Sequence, residues 1–257
     1  MTSSKSHALC NTSHALCNSS QTRARFRFLV SFIAWSGLLV FLPTVPSHAQ
    51  ENGQKPSPPA KEIGKPATVT SSPAATTNWQ SLFDGKSLAG WKETDFAGRG
   101  GVKVESGKML LESGVMTGVT WTNELPRMNY ELSLEAMRVE GSDFFCGLTF
   151  PVGKDPCSFI VGGWGGGVVG LSSIDNEDAA HNETTQYMNF TNEKWFAIRI
   201  RVTKTKIEAW IDSDKVVNLE TEGKKISIRA EMELSQPLGI ASWSTAAAVR
   251  NIRIRSL

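Results

Sequence analysis

From residue 78 onward apolar side chains return at every second position, and no other feature limits the possible folds so strongly. A period of two puts them on one face of an extended strand, whereas a helix face needs a period near 3.6. In YELSLEAMR (Tyr130–Arg138), Tyr130, Leu132, Leu134 and Ala136 share a face, with Glu131, Ser133 and Glu135 opposite. KWFAIRIRV (Lys194–Val202) sets Phe196, Ile198, Ile200 and Val202 against Trp195, Arg199 and Arg201. KIEAWID (Lys206–Asp212) sets Ile207, Ala209 and Ile211 against Glu208, Trp210 and Asp212. The chain closes with Ile252 and Ile254 alternating with arginines. No ten-residue stretch shows a helical period, and Gly- and Pro-marked turns separate the runs. The expectation is all-β: a jelly-roll-like sandwich of two antiparallel sheets.

One stretch interrupts this pattern. Residues 161–178 read VGGWGGGVVGLSSIDNED, and Gly165-Gly166-Gly167-Val168-Val169-Gly170 satisfies G-x-G-x-x-G. That fingerprint binds a dinucleotide only where a helix follows, because the pyrophosphate sits at the helix N-terminus. Here Val168, Val169, Leu171, Ser172 and Ser173 read as another strand, and no lysine is placed for a P-loop. No nucleotide cofactor is expected. The glycines instead read as a strand pair that bends or lets a ligand approach the backbone, with Trp164 the one large side chain.

The first 77 residues have a different character. Arg23, Arg25 and Arg27 precede the apolar run Phe28–Leu42, which Pro43 and Pro46 close, and Ser47-His48-Ala49 resembles a cleavage site. Residues 1–49 therefore read as a secretory signal peptide with a dispensable extension in front. The rival, a membrane anchor, needs a longer run to cross a hydrocarbon core of about 30 Å. Secretion to the periplasm or exterior is expected, with no stable membrane insertion after cleavage. The extension repeats SHALCN (Ser6–Asn11 and Ser13–Asn18), whose His7, Cys10, His14 and Cys17 are potential zinc ligands but read as a duplicated tract. Residues 50–77, with five prolines and no aromatic residue, read as a flexible linker. The folded domain is then 78–257, long enough for one core. With 27 Lys and Arg against 25 Asp and Glu, nothing draws the chain to nucleic acid. The domain's two cysteines, Cys146 and Cys157, either form a disulfide worth roughly 3 kcal/mol or remain buried thiols. A turn at Gly153–Pro156 puts Cys157 opposite Phe150 instead of Cys146.

A turn at Lys204-Thr205 registers the hairpin so that Arg201 faces Glu208 and Arg199 faces Trp210, with Trp195 alongside. This face is either a solvated sheet laced by charges or a sugar-facing surface. In the second case, indoles stack on sugar rings while Arg and Glu bind hydroxyls.

The domain opens NWQSLFDGKSLAGWKE. Leu82-Phe83-Asp84-Gly85-Lys86, then Leu88, Gly90 and Trp91, resembles the opening of the 3-keto-disaccharide hydrolase domain family. The order of the later strands is similar over roughly Trp79–Leu257. The resemblance implies a concanavalin A-like fold and cleavage of glycosides oxidised at C3. Its mid-domain catalytic pattern is not matched by SDFFCGLTFPVG or CSFIVGGWGGGVVG, so no catalytic residue is carried over; the Asp84-Gly85 turn and Trp91 read as structural.

The implied chemistry has a base remove the C2 hydrogen acidified by the 3-keto group. The C1 substituent then leaves, and water adds. Candidates are His181, the domain's one histidine, in the polar loop DNEDAAHNET, with Asp143 and Glu183 as further carboxylates. Asp175, Glu177 and Asp178 could hold a divalent cation such as Ca²⁺, although the EF-hand spacing is missing. Trp164, Trp195, Arg199 and Trp210 are the candidate substrate-binding residues. Glu131-x-Ser133-x-Glu135 approximates the E-x-D-x-E of laminarinase-type hydrolases but lacks the central Asp. Two readings follow: a hydrolase or lyase of 3-keto-disaccharides and 3-keto-glucosides, or a non-catalytic carbohydrate-binding module.

Overall fold

The computed structural model describes residues 78–257; the expected signal peptide, the SHALCN repeat and the linker lie outside them. Fifteen strands form two antiparallel sheets. The larger has the order β13 (Asp214–Glu220), β12 (Lys206–Ile211), β11 (Trp195–Val202), β6 (Tyr130–Gly141), β15 (Thr245–Ser256), β4 (Lys108–Leu111), β3 (Val102–Glu105), and β1 (Gln80–Ser81) also pairs with β15. The smaller has the order β10 (Gln186–Tyr187), β9 (Val168–Ser172), β8 (Asp155–Gly163), β7 (Cys146–Val152), β14 (Gly239–Trp243), β5 (Met116–Trp121), β2 (Trp91–Glu93). This is the expected jelly-roll sandwich of the concanavalin A-like kind. Among the described residues the one helix is a 3-10 turn, Ala230–Ser235, and none is long and apolar enough to cross a membrane.

The main core lies between the sheets, where Leu132, Leu134, Phe196, Ile198 and Ile207 meet Leu148, Phe150, Phe159, Val161, Leu171 and Ile240. The β11–β12 register is the one read from the sequence, with Arg201 opposite Glu208 and Arg199 opposite Trp210. Cys157 lies opposite Phe150, and Cys146 opposite Val161 on the neighbouring strand. Both cysteines are buried free thiols, so no disulfide forms here; burial pushes each thiol up to about 12.

A second apolar cluster sits on the outer face of the smaller sheet. Ile160 alternates with core-facing Phe159 and Val161, and packs with Met116, Phe144, Val168, Ala241 and Met232. Met232 comes from the 3-10 turn, which lies across this face: Thr120 Oγ1 donates to Leu234 O at 3.0 Å, and a Cβ on Gly239 would meet Ser235 O at 2.5 Å. Strands β5, β7 and β9 are therefore buried throughout, whereas β11 alternates. Covering the outer face replaces the charged half of the pattern with small buried residues such as Gly118, Thr120, Gly147 and Thr149, so the polar alternation is lost.

The opening motif is structural. Asp84 Oδ1 accepts from the Lys86 and Ser87 amides, both at 2.8 Å, which holds its carboxyl below the usual range. Trp91 is buried, donates Nε1 to Leu82 O at 2.7 Å, and meets Trp121 edge-on at 5.2 Å.

Candidate functional site

The glycine stretch forms the β8–β9 hairpin turn. Gly166 has φ +115°, and a Cβ there would meet Ser142 O at 2.8 Å, so only glycine fits. Asp143 holds the turn from one loop: Oδ2 accepts from Gly165 N at 3.2 Å and Oδ1 from Phe144 N at 2.7 Å. Arg138, buried over the Phe145 ring at 5.3 Å, donates to Gly166 O at 2.8 Å. A strand follows, so the fingerprint builds no helix N-terminus for a pyrophosphate. With both flanks clipped, Trp164 (φ +49°) is left 43% exposed at the tip.

Trp164 borders a cleft of about 250 Å³ on the outer face of the smaller sheet. Its other principal walls are Asp143, Trp243, Arg229, Glu231 and the floor residue Ser172. Trp243 tilts against Phe144 with ring centroids 6.4 Å apart. Arg229 Nε donates to Glu231 Oε1 at 2.5 Å, setting a guanidinium and a carboxylate side by side. No hydrogen bond engages Glu231 Oε2 among the described residues. Ser172 Oγ is buried without a hydrogen-bond partner, a costly state in a folded core. The cleft thus joins two indoles, two carboxylates, a guanidinium and an unpaired hydroxyl.

The acidic loop reaches this wall through one residue. Asp178 Oδ1 contacts His181 Nδ1 at 2.7 Å and accepts from Ala180 N at 3.0 Å, while Oδ2 accepts from Arg229 Nη1 at 3.2 Å. Asn182 braces the loop by donating Nδ2 to Leu171 O and Asp178 O, each at 2.7 Å. His181 is exposed and one step behind the cleft, not in its lining. Glu183 pairs with Lys224. Asp175 accepts from Lys225 N at 2.9 Å and Lys224 Nζ at 3.3 Å, which lower its pKa. Asp175, Glu177 and Asp178 therefore do not converge, and no three His, Cys, Asp or Glu side chains form a metal cluster among the described residues. Lys224 pairs with Asp175 and Glu183, and Arg229 with Asp178, so these carboxylates already have positive partners.

The four candidate binding residues fall on two faces. Trp164 borders the cleft, whereas Trp195, Arg199 and Trp210 lie on the outer face of the larger sheet. There the indoles are covered: Arg199 stacks 3.7 Å over Trp210 and Arg250 lies 4.0 Å over Trp195. Glu131 accepts from Arg199, Arg201 and Arg255, and Glu135 from Arg250 and Asn251, so the E-x-S-x-E pattern is an ion-pair lattice.

Sequence reasoning missed Arg229, Glu231, Trp243 and Ser172. The available signal was the long connection 221–238 between β13 and β14, which carries Arg229 and Glu231 in an aperiodic charged segment. Loops of that length in a compact domain are commonly functional.

Among solved structures, the Crh5 transglycosylase in complex with NAG has a TM-score of 0.50 at 15% identity, covering 69% of this chain and 83% of that one. The carbohydrate-binding module CBM66 from Bacillus subtilis has a TM-score of 0.43 at 12% identity, covering 65% and 96%. At such identities the likeness is one of fold. No curated protein matches the chain. Residues 78–255 match the 3-keto-alpha-glucoside-1,2-lyase-like domain, and the chain belongs to that family.

Proposed function

We propose that this domain cleaves the glycosidic bond of 3-keto-glucosides and 3-keto-disaccharides in the cleft beside Trp164, acting outside the cytoplasm. One observation carries the reading: Arg229 and Glu231 stand side by side in a cleft walled by two indoles. In a 3-keto-sugar the carbonyl oxygen and the acidic C2 hydrogen sit on adjacent carbons, so a cation and a base are needed next to each other. Glu231, with Oε2 available, takes the C2 proton, and Arg229 steadies the enolate oxygen on C3. The C1–O bond then breaks as its oxygen gains a proton, and water returns a hydroxyl to C1 and a proton to C2. Trp164 and Trp243 flank the ring. Asp143, tied by two amides, holds Trp164's turn in place, and Asp178 positions Arg229 with His181 behind it. The positive charge at the enolate is assigned to Arg229 and not to a divalent cation, because Lys224 pairs with Asp175 and Glu183 and Arg229 with Asp178. A volume of about 250 Å³ lies just below the roughly 300–1,000 Å³ of typical small-molecule sites and suits one sugar ring.

The test is to incubate the purified protein with 3-keto-glucosides and their unoxidised parents, with and without chelator. Release of the aglycone from the keto substrates alone, unchanged by chelator, is expected. Binding of these sugars without turnover would favour the non-catalytic module.

A further inference from the structure

The outer face of the larger sheet has a charge balance opposite to the rest of the domain. Residues 78–257 carry 20 Lys and Arg against 23 Asp and Glu. On this face the pairs of Lys206 with Glu220 and of Lys108 with Glu105 balance, while Arg199, Arg201, Lys215, Arg250, Arg253 and Arg255 share Glu131, Glu135 and Glu208. Glu131 alone serves three arginines. Arg253 is exposed and has no carboxylate within ion-pair distance among the described residues. Three positive charges are left over.

These guanidiniums are also pre-organised. Besides Arg199 on Trp210 and Arg250 on Trp195, Arg255 and Arg253 lie 4.7 Å and 5.0 Å from the Trp79 ring. Arg201 and Lys215 also lie 5.5 Å and 5.0 Å from the Trp210 ring, so six cation–π pairs gather on this face. Arg199 and Arg255 already donate to Glu131 and Arg250 to Glu135, so Arg253 is the guanidinium of this set left to meet an added carboxylate in bidentate fashion. The preceding stretch, residues 50–77, has three lysines against two glutamates and is not complementary.

We infer that this face binds an acidic polysaccharide, its carboxylates drawn by the surplus positive charge of the arginines on Trp79, Trp195 and Trp210 and paired at Arg253. That the polyanion is a polysaccharide rests on the sugar-directed reading of the cleft; the charge surplus does not. The face holds the protein on a uronate-bearing glycan, while the cleft on the other sheet remains accessible.

The experiment titrates the full chain with polygalacturonate, neutral dextran and inorganic polyphosphate at about 50 and about 300 mM NaCl. Polygalacturonate is expected to bind, more weakly at the higher salt; dextran is expected not to bind, and polyphosphate to bind less well. Arg253→Glu removes no structural ion pair and should weaken polygalacturonate binding by about tenfold, with an unchanged melting temperature. Binding unaffected by Arg253→Glu or by salt would overturn the proposal, as would polyphosphate binding as tightly as polygalacturonate, or salt-sensitive self-association with no glycan binding. Turnover of a small 3-keto-glucoside, measured on the same variant, reports separately on the cleft and is expected to be unchanged.

Discussion

The two outer faces of the sandwich follow different rules. On the larger sheet, polar side chains find partners on neighbouring strands: Glu131 with Arg199, Arg201 and Arg255, and Glu208 with Lys215 and Arg201. On the smaller sheet, apolar residues cover most of the face, and the polar groups at the cleft are left incompletely paired, Ser172 Oγ and Glu231 Oε2 among them. The first face uses its polar groups to hold strands together. The second leaves unspent the hydrogen-bonding capacity that a ligand can use, so mutations on the two faces should separate stability from chemistry.

The largest effect is expected at Glu131. Replacing it by Gln leaves three arginines without their shared counter-ion and should cost about 3 kcal/mol, measured by denaturant unfolding. Burial pushes the Glu131 carboxyl up, but the hydrogen bonds from Arg201 and Arg255 prevail and hold it below its ordinary value of 4.5. A group depressed in the folded state contributes stability above its unfolded value and loses it as pH falls through the folded one. Wild-type stability should therefore decline below about pH 4.5, with a shallower decline in Glu131→Gln.

Arg229→Met is expected to do the reverse. Its ion pairs are half-exposed and worth less than about 1 kcal/mol to the fold. The loss of kcat/KM on a 3-keto-glucoside should reach about a hundredfold, as for removal of one oxyanion donor. A matching loss of stability would show that Arg229 belongs with the first face. Trp164→Ala should raise KM by about fivefold, a stacking contribution near 1 kcal/mol, with little change in melting temperature. Ser172→Ala removes a buried hydroxyl that has no partner, so the unliganded protein should be as stable as wild type or up to about 1 kcal/mol more stable, with weaker sugar binding. The smallest effect is expected at Glu183, whose exposed pair with Lys224 should contribute less than about 1 kcal/mol and nothing to turnover.

The same contrast accounts for what could be read in the sequence. The larger sheet meets solvent on one side, so its strands alternate, and even the pairing of Arg199 with Trp210 could be counted from the turn. The smaller sheet is covered on both sides, and CGLTFPV or MTGVTW shows no period to count. Trp164 stood out as the one large side chain among glycines, and Asp143 borders the cleft as a candidate should, although its oxygens are occupied by the turn. Arg229 and Glu231 gave no periodic signal, because a long connection brings them to the cleft and only tertiary packing places them there. The acidic loop looked like a metal site because its carboxylates are close in sequence. Their partners, Lys224, Lys225 and Arg229, lie some fifty residues downstream.

The central claim, proton removal from C2 by the Arg229–Glu231 pair, is tested most directly by cleaving a 3-keto-glucoside in D₂O. Deuterium at C2 of the released sugar is then read by NMR at early times, against the free keto-sugar incubated alone. Elimination followed by hydration predicts one deuterium at C2 in the wild-type product, and loss of both cleavage and labelling in Glu231→Gln. Cleavage that leaves hydrogen at C2, or labelling undiminished in Glu231→Gln, would contradict it.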